Sequence, residues 1–292
     1  MASYTNAGAA VKYARTLNAA LQDNLGFLKA LNNLESFTAP EREGAISVPL
    51  ITAVTPGTPV DGTMLDNAGA VTLVAGTFVN QEYTISLQAT ELNQLTPERF
   101  AMHAIAAGSA FGLAAQNQIL TDYMAATPGA TTSLPSGQAN FDMATFSDAQ
   151  KGIVLQTILK GIGYVSSVSQ GRMNELFVAV NAESWANLMA AKMIVGTDGD
   201  GKGFVQGGQI TTSIAGVPIF VVPGSASGWG TASGTAAIIG HKDSAMIGFQ
   251  DAFLHGGGAI AASDGLTKYI WLGPYVHGVI QNKWYEITNA VT

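Results

Sequence analysis

The chain has 292 residues, 47% hydrophobic and only 11% charged, with 34 glycines, no cysteine and a net charge of -7. That apolar content suits a large core and excludes a disordered chain, while the missing cysteines exclude disulfides and thiolate metal sites. Thirteen lysines and arginines, scattered singly in an acidic chain, exclude binding that rests on neutralising nucleic-acid phosphates.

The opening Met-Ala-Ser-Tyr-Thr lacks the basic and apolar regions of a secretory signal. No run reaches the eighteen or so apolar residues of a membrane span, so a soluble protein folding in a reducing cytoplasm is expected. From about Val11 to Leu34, Leu17, Leu21, Leu25, Leu28, Leu31 and Leu34 recur at steps of three and four. This spacing predicts an amphipathic helix with a weak point at Gly26, ending before Pro40. "ISVPLITAV" is the first strand-like run.

The stretch Thr55 to Gln88 holds no lysine or arginine. Its first part is turn chemistry, Thr-Pro-Gly-Thr-Pro and Asp-Gly. Val71 to Ala75 reads as a short strand, and Tyr83, Ile85 and Leu87 alternate with Thr84, Ser86 and Gln88 as a half-buried strand does. A long two-stranded ribbon is expected, and a lone hairpin is marginal in water, so it needs a surface to lie on. Between Glu43 and Glu98 every charge is acidic: Glu43, Asp61, Asp66, Glu82, Glu91 and Glu98.

Thr96 then caps a helix whose first residue is Pro97, where a missing N–H costs nothing, and Glu98 suits the positive end of the dipole. Running to about Ala126, this helix would be a rod of roughly 45 Å. Its many alanines and glycines leave room for a close neighbour. Beyond "ATPGATTSLPSGQ", a helix near Ser147 to Leu159, a strand Leu176 to Val180, a helix Ala182 to Met193 and strands Val217 to Val222 and Ala236 to Ile239 alternate as in an α/β or α+β domain. "KYIWLG" and "GVIQNKWYEI" read as two final strands.

Catalytic chemistry finds no support. Gly196 to Gly203 matches a phosphate-binding loop up to its last position, where Gly203 replaces the required Ser or Thr, and it follows a helix instead of a strand. It reads as a flexible loop. Asp198 and Asp200 begin a calcium-like pattern that no glutamate closes. His103, His241, His255 and His277 show no zinc spacing, and Ser225 and Ser227 flank Ala226, where a nucleophile elbow needs serine. No catalytic, cofactor-binding or metal-ligating residue is expected, and projecting parts point towards assembly.

The order of parts resembles the major capsid proteins of tailed bacteriophages, the Hong Kong ninety-seven type of shell fold. "ATELNQLTPERF" entering the long helix, "GVPIFVVPG" and "IIGHKDSAMIGFQ" carry the resemblance best. It implies an α+β fold with an N-terminal arm over 1–45, an extended loop over 46–95, a peripheral domain with its spine helix over 96–145, an axial domain over 146–248 and closing peripheral strands over 249–292. In that family the extended loop lies across a neighbouring subunit, the arm reaches along another, and axial domains meet at the centres of pentamers and hexamers.

The resemblance therefore implies a self-assembling icosahedral head enclosing double-stranded DNA, without sequence-specific binding and without a membrane. It also implies a virion component assembled in the host cytoplasm. A separate scaffolding protein, a portal and a decoration protein are the other expected partners. Candidate interface residues are Leu17 and Leu21 in the arm, Tyr83, Ile85, Leu87, Asp61, Asp66 and Glu82 in the ribbon, and Arg99. Basic residues beneath a neighbour's acidic ribbon would be Arg42, Arg99 and Lys283. Some members weld the shell through a lysine of the extended loop, and residues 46–95 contain none, so no cross-link from this loop is expected. Other readings are an encapsulin-like compartment shell and a nucleotide-dependent enzyme using the Gly196 loop.

Overall fold

Two runs, β5 (Leu176–Val180) and β8 (Thr235–His241), are buried at every residue. A strand is covered this way when layers pack on both faces of its sheet. The computed structural model of the chain describes residues 15–17, 19–21, 23, 25–33, 45–54, 71–88, 97–144, 148–169, 173–190, 212–222, 224, 226–249, 252–255, 267–279 and 283–290.

β5 and β8 are central in a six-stranded mixed sheet that also contains β4 (Ala130–Ser133), β6 (Thr212–Ile214), β7 (Val217–Val221) and β12 (Trp284–Thr288). The order is β4-β12-β8-β5-β7-β6. Side chains alternate between its faces with the strand period of two. Phe177, Ala179, Ile238 and Trp284 join a core with Leu17, Leu21, Phe27, Phe111, Ile119 and Tyr123. Leu176, Val178, Val180, Ile239, Tyr285 and Ile287 join another with Val154, Ile158, Ile162, Val165 and Leu188. The first core is roofed by the long helix α1 (Pro97–Ala125), the second by α2 (Asp148–Val168) and α3 (Ala182–Ala190).

The described leucines of the N-terminal segment pack inward. Residues 15–17, 19–21 and 23 are helical. At Gly26, with φ +53°, the chain enters a 3-10 turn, Gly26–Ala30. That left-handed conformation is one glycine adopts readily, so the predicted weak point is where the helix gives way. Leu17, Leu21, Leu25, Leu28 and Leu31 are all buried in the chain's own core. Close approach to α1 depends on Gly108, where a Cβ would lie 2.5 Å from the Leu17 carbonyl oxygen.

The second sheet has the order β1-β9-β11-β3-β2, with β10 also pairing with β11. Its strands are β1 (Asn32–Asn33), β2 (Ala45–Val54), β3 (Val71–Gln88), β9 (Ala245–Phe249), β10 (Ala252–His255) and β11 (Thr267–Val279). Two expectations are corrected here. The short strand at Val71 and the alternating run at Tyr83 are one strand of 18 residues. Thr77, Phe78 and Val79 carry the pleat straight through, and the ribbon partner is the "ISVPLITAV" strand. "KYIWLG" continues into Gly278 and Val279 as one strand of 13 residues. Its register shifts between Leu272 and Tyr275, and a bulge there accommodates Pro274.

α2 also runs further than expected, to Val168. At Gly161, inside this helix, a Cβ would lie 2.5 Å from Ile239 Cδ1 and 2.8 Å from Tyr285 Cδ1. Glycine there lets the helix settle onto the sheet.

Candidate functional site

The ribbon grows out of the second sheet at Val79, which pairs with His277 of β11 on one side and Ala45 of β2 on the other. From Phe78 back to Val71, β3 pairs with β2 alone, in antiparallel register down to Val54 opposite Val71. β2 is the edge of the sheet. Its ten residues give a two-stranded extension of about 30 Å at roughly 3.4 Å per residue. Pro49, opposite Ala75, is tolerated at that edge because an edge strand need not donate every N–H. A two-stranded ribbon with a free edge does not stabilise itself in water.

A second feature lies on α1. Ala104, Ala107, Phe111 and Ala115 face the core, whereas Met102, Ile105 and Leu113 are 69%, 50% and 40% exposed on the opposite side, with exposed Ala106 and Ala110 beside them. The helix is thus apolar on both faces along its first half. Such a helix is ordinarily covered on both.

Of the sequence-predicted interface residues, Leu17 and Leu21 are corrected: they are 0% and 2% exposed inside their own chain, which leaves no surface for a second copy. Tyr83, Ile85 and Leu87 are at the base of the ribbon, paired with Leu272, Ile270 and Lys268 of β11. Glu82 falls in the register shift between Tyr83 and Gln81. Arg99 is in the first turn of α1. Lys283 is engaged within the chain, its Nζ 3.7 Å from Asp243 Oδ2. Asp61, Asp66, Arg42 and the Gly196 to Gly203 loop lie outside the described residues. The exposed stripe on α1 was missed. Its signal was present in the sequence, as apolar residues at 102, 105 and 113 added to those of the inward face.

Two buried polar clusters complete the body. Asn140, with φ 50°, donates through Nδ2 to Glu183 Oε2 at 2.8 Å and to the Gly230 carbonyl at 3.0 Å. Its Oδ1 accepts from Asn181 Nδ2 at 2.8 Å and Asn289 Nδ2 at 3.2 Å, so all four hydrogen-bonding positions of the amide are used. The second cluster surrounds His241, whose Nε2 is 3.0 Å from Glu175 Oε2. Burial pushes this imidazole below its ordinary pKa, against the pull of Asp243 and Glu175 and with a small push from Lys283. Both clusters are hydrogen-bonded networks that tie separate elements together. Among the described residues, no group of His, Cys, Asp and Glu could hold a metal ion, and no helix is long and apolar enough to cross a membrane.

No protein-family model matches the chain, and no curated protein matches its sequence. Solved structures match in fold. A capsid structure of the cyanophage P-SCSP1u matches with a TM-score of 0.58 at 12% identity, over 90% of this chain and 87% of that one. A structure of Mycobacterium phage Che8 matches at 0.54 and 16% identity, over 89% of this chain and 90% of that one. A virus-like particle from Pyrococcus furiosus matches at 0.53 and 14% identity, over 94% and 98%. The similarity spans nearly the whole chain, and the α+β architecture is that of the Hong Kong ninety-seven-type capsid fold.

Proposed function

We propose that this chain is the major shell protein of a tailed-phage head, copies of which assemble into pentamers and hexamers of an icosahedral container for double-stranded DNA. The observation that carries the reading is the ribbon, some 30 Å of paired strand at the edge of its sheet, with no further strand pairing along that edge among the described residues. In the proposed assembly, the ribbon of one copy lies across the exposed face of α1 in a neighbour. Met102, Ile105 and Leu113 are each about half exposed, so covering them contributes roughly 1 kcal/mol apiece. The total is modest per contact. It is repeated at every subunit, because each copy both gives a ribbon and receives one.

The net charge of -7 suits a wall facing packaged DNA, since an acidic surface does not hold phosphates and so does not hinder packing or release. The arm, extended loop, peripheral and axial segments are proposed with the boundaries given above. A separate scaffolding protein, a portal and a decoration protein are proposed partners, with assembly in the host cytoplasm and the virion head as final location.

The test is expression of the chain alone and with candidate scaffolds, followed by sedimentation and electron microscopy. Closed shells, tubes or spirals built from five- and six-fold units support the proposal, and a monomer under all conditions refutes it. Nuclease-protected DNA in particles from infected cells supports a viral head. Enclosed protein in its place would favour a compartment shell.

A further inference from the structure

Two of the chain crossings between the sheets lie side by side. One is the 3-10 turn Lys242–Ser244, which leads from β8 in the first sheet to β9 in the second. The other is at Lys283, just before β12, where the chain returns from β11 to the first sheet. The crossings are bonded directly, the His241 N–H donating to the Lys283 carbonyl at 3.1 Å.

The His241 side chain is fully buried between them. Charged groups from three elements face it or its partners: Glu175 just before β5, Lys242 and Asp243 in the turn, and Lys283 at the second crossing. The Nδ1 atom accepts the Asp243 N–H at 3.1 Å and so caps the turn. Lys242 Nζ is 2.6 Å from Glu175 Oε1. Ser244 Oγ donates to the His241 carbonyl at 2.6 Å, and the same oxygen therefore accepts from the Tyr123 hydroxyl at 2.6 Å. That last bond ties α1 to the turn.

Only one protonation pattern of the ring satisfies these contacts. Nδ1 accepts, so the single proton of the neutral ring is on Nε2 and points at Glu175. A second proton must go on Nδ1, which sets two donors, Nδ1–H and the Asp243 N–H, against each other. The carboxylate Oδ2 of Asp243, 3.4 Å from Nδ1 and 3.7 Å from Lys283 Nζ, can take up that proton's bond, but the Asp243 N–H is left without its acceptor. Protonation therefore removes the cap of the turn that forms one crossing and disturbs the residue whose N–H holds the other.

We propose that this joint is a proton-operated latch: with His241 neutral the turn is capped and held against the second crossing, and protonating His241 removes the cap and loosens both crossings locally. The device belongs to the single subunit and stands apart from the shell reading. Its sign follows from the buried ring. With a folded-state pKa below the ordinary 6.5, the stabilisation it brings is complete above pH 6.5 and is lost as the pH falls from there through the folded value.

Hydrogen exchange of the full chain, corrected for the intrinsic pH dependence of amide exchange, tests the latch. As the pH falls from 6.5 towards the folded-state titration of His241, protection over 241–245 and 283–286 should fall by up to about tenfold per pH unit, while 176–180 in β5 stays protected. In His241→Gln, which has no titratable ring, that pH dependence should vanish. Unchanged protection in the wild-type chain at pH 5, or the same loss in His241→Gln, overturns the proposal. Should that variant not fold, nitrogen NMR of the wild-type imidazole decides instead. An Nε2–H tautomer at pH 7 supports the latch, and an Nδ1–H or charged ring at pH 7 overturns it.

Discussion

Replacing Gly108 by alanine should weaken the contact between α1 and the N-terminal helical residues. The added Cβ would lie 2.5 Å from the Leu17 carbonyl oxygen, 2.8 Å from Ala20 Cβ and 2.9 Å from the Leu21 nitrogen. Two of these are backbone atoms, so no rotamer change relieves the overlap, and the two backbones must move apart by about 1 Å to restore ordinary contact. Alanine gains about 1 kcal/mol of helix propensity over glycine. Overpacking costs about 1–3 kcal/mol, and separating the backbones loosens the packing of Leu17 and Leu21 as well. The net expectation is a loss of about 1–3 kcal/mol.

Two other helical glycines provide the control. Gly152 and Gly163 in α2 have nothing within 4 Å of an added Cβ. Alanine at either should stabilise by about 0.5–1 kcal/mol. Urea unfolding of the unassembled chain measures all three variants, and the midpoint should move down for Gly108→Ala and up for the other two. A Gly108→Ala midpoint at or above wild type would refute the close crossing, and with it the assignment of Leu17 and Leu21 to the chain's own core.

Tyr123→Phe removes a buried hydroxyl bond to Ser244 and should cost about 1 kcal/mol in the same assay. Burial also holds the Tyr123 phenol far above its ordinary pKa, so its phenolate absorbance should appear only as the chain unfolds in alkali, and early titration of all tyrosines would contradict this. Asn140→Ala strands the partners of all four of its side-chain bonds and places a left-handed φ on alanine, for an expected loss of about 2–4 kcal/mol by chemical denaturation. Mature particles should run as single chains on a denaturing gel, because the extended loop has no lysine to form an isopeptide bond, and a ladder of oligomers would contradict that.

Local signals carried much of this fold. Pro97 begins α1 as its capping sequence predicts, and Leu176–Val180 matches its predicted strand residue for residue. What local signals could not supply was pairing. Strand alternation at Tyr83 is the same whether its partner is Val71 or, as observed, Leu272 of β11, because period-two patterning names a face and not a neighbour. The leucines of the N-terminal segment show the same limit. Their spacing marks an apolar face, and it was Gly108 on a distant helix that decided where the face would be buried. Gly161 shows the same limit inside α2, where a residue that discourages helix in isolation permits helix–sheet contact. The outward stripe on α1 was hidden by an excess of signal, a helix apolar nearly all round offering no clue to which face lacks a layer.

The most direct measurement is an electron cryo-microscopy reconstruction of an assembled particle at a resolution that traces strands. The account predicts density for Ala45–Val54 and Val71–Phe78 leaving one subunit as a two-stranded ribbon and covering Met102, Ile105 and Leu113 of its neighbour. A ribbon folded back onto its own subunit, with that face of α1 bare in the particle, would contradict it.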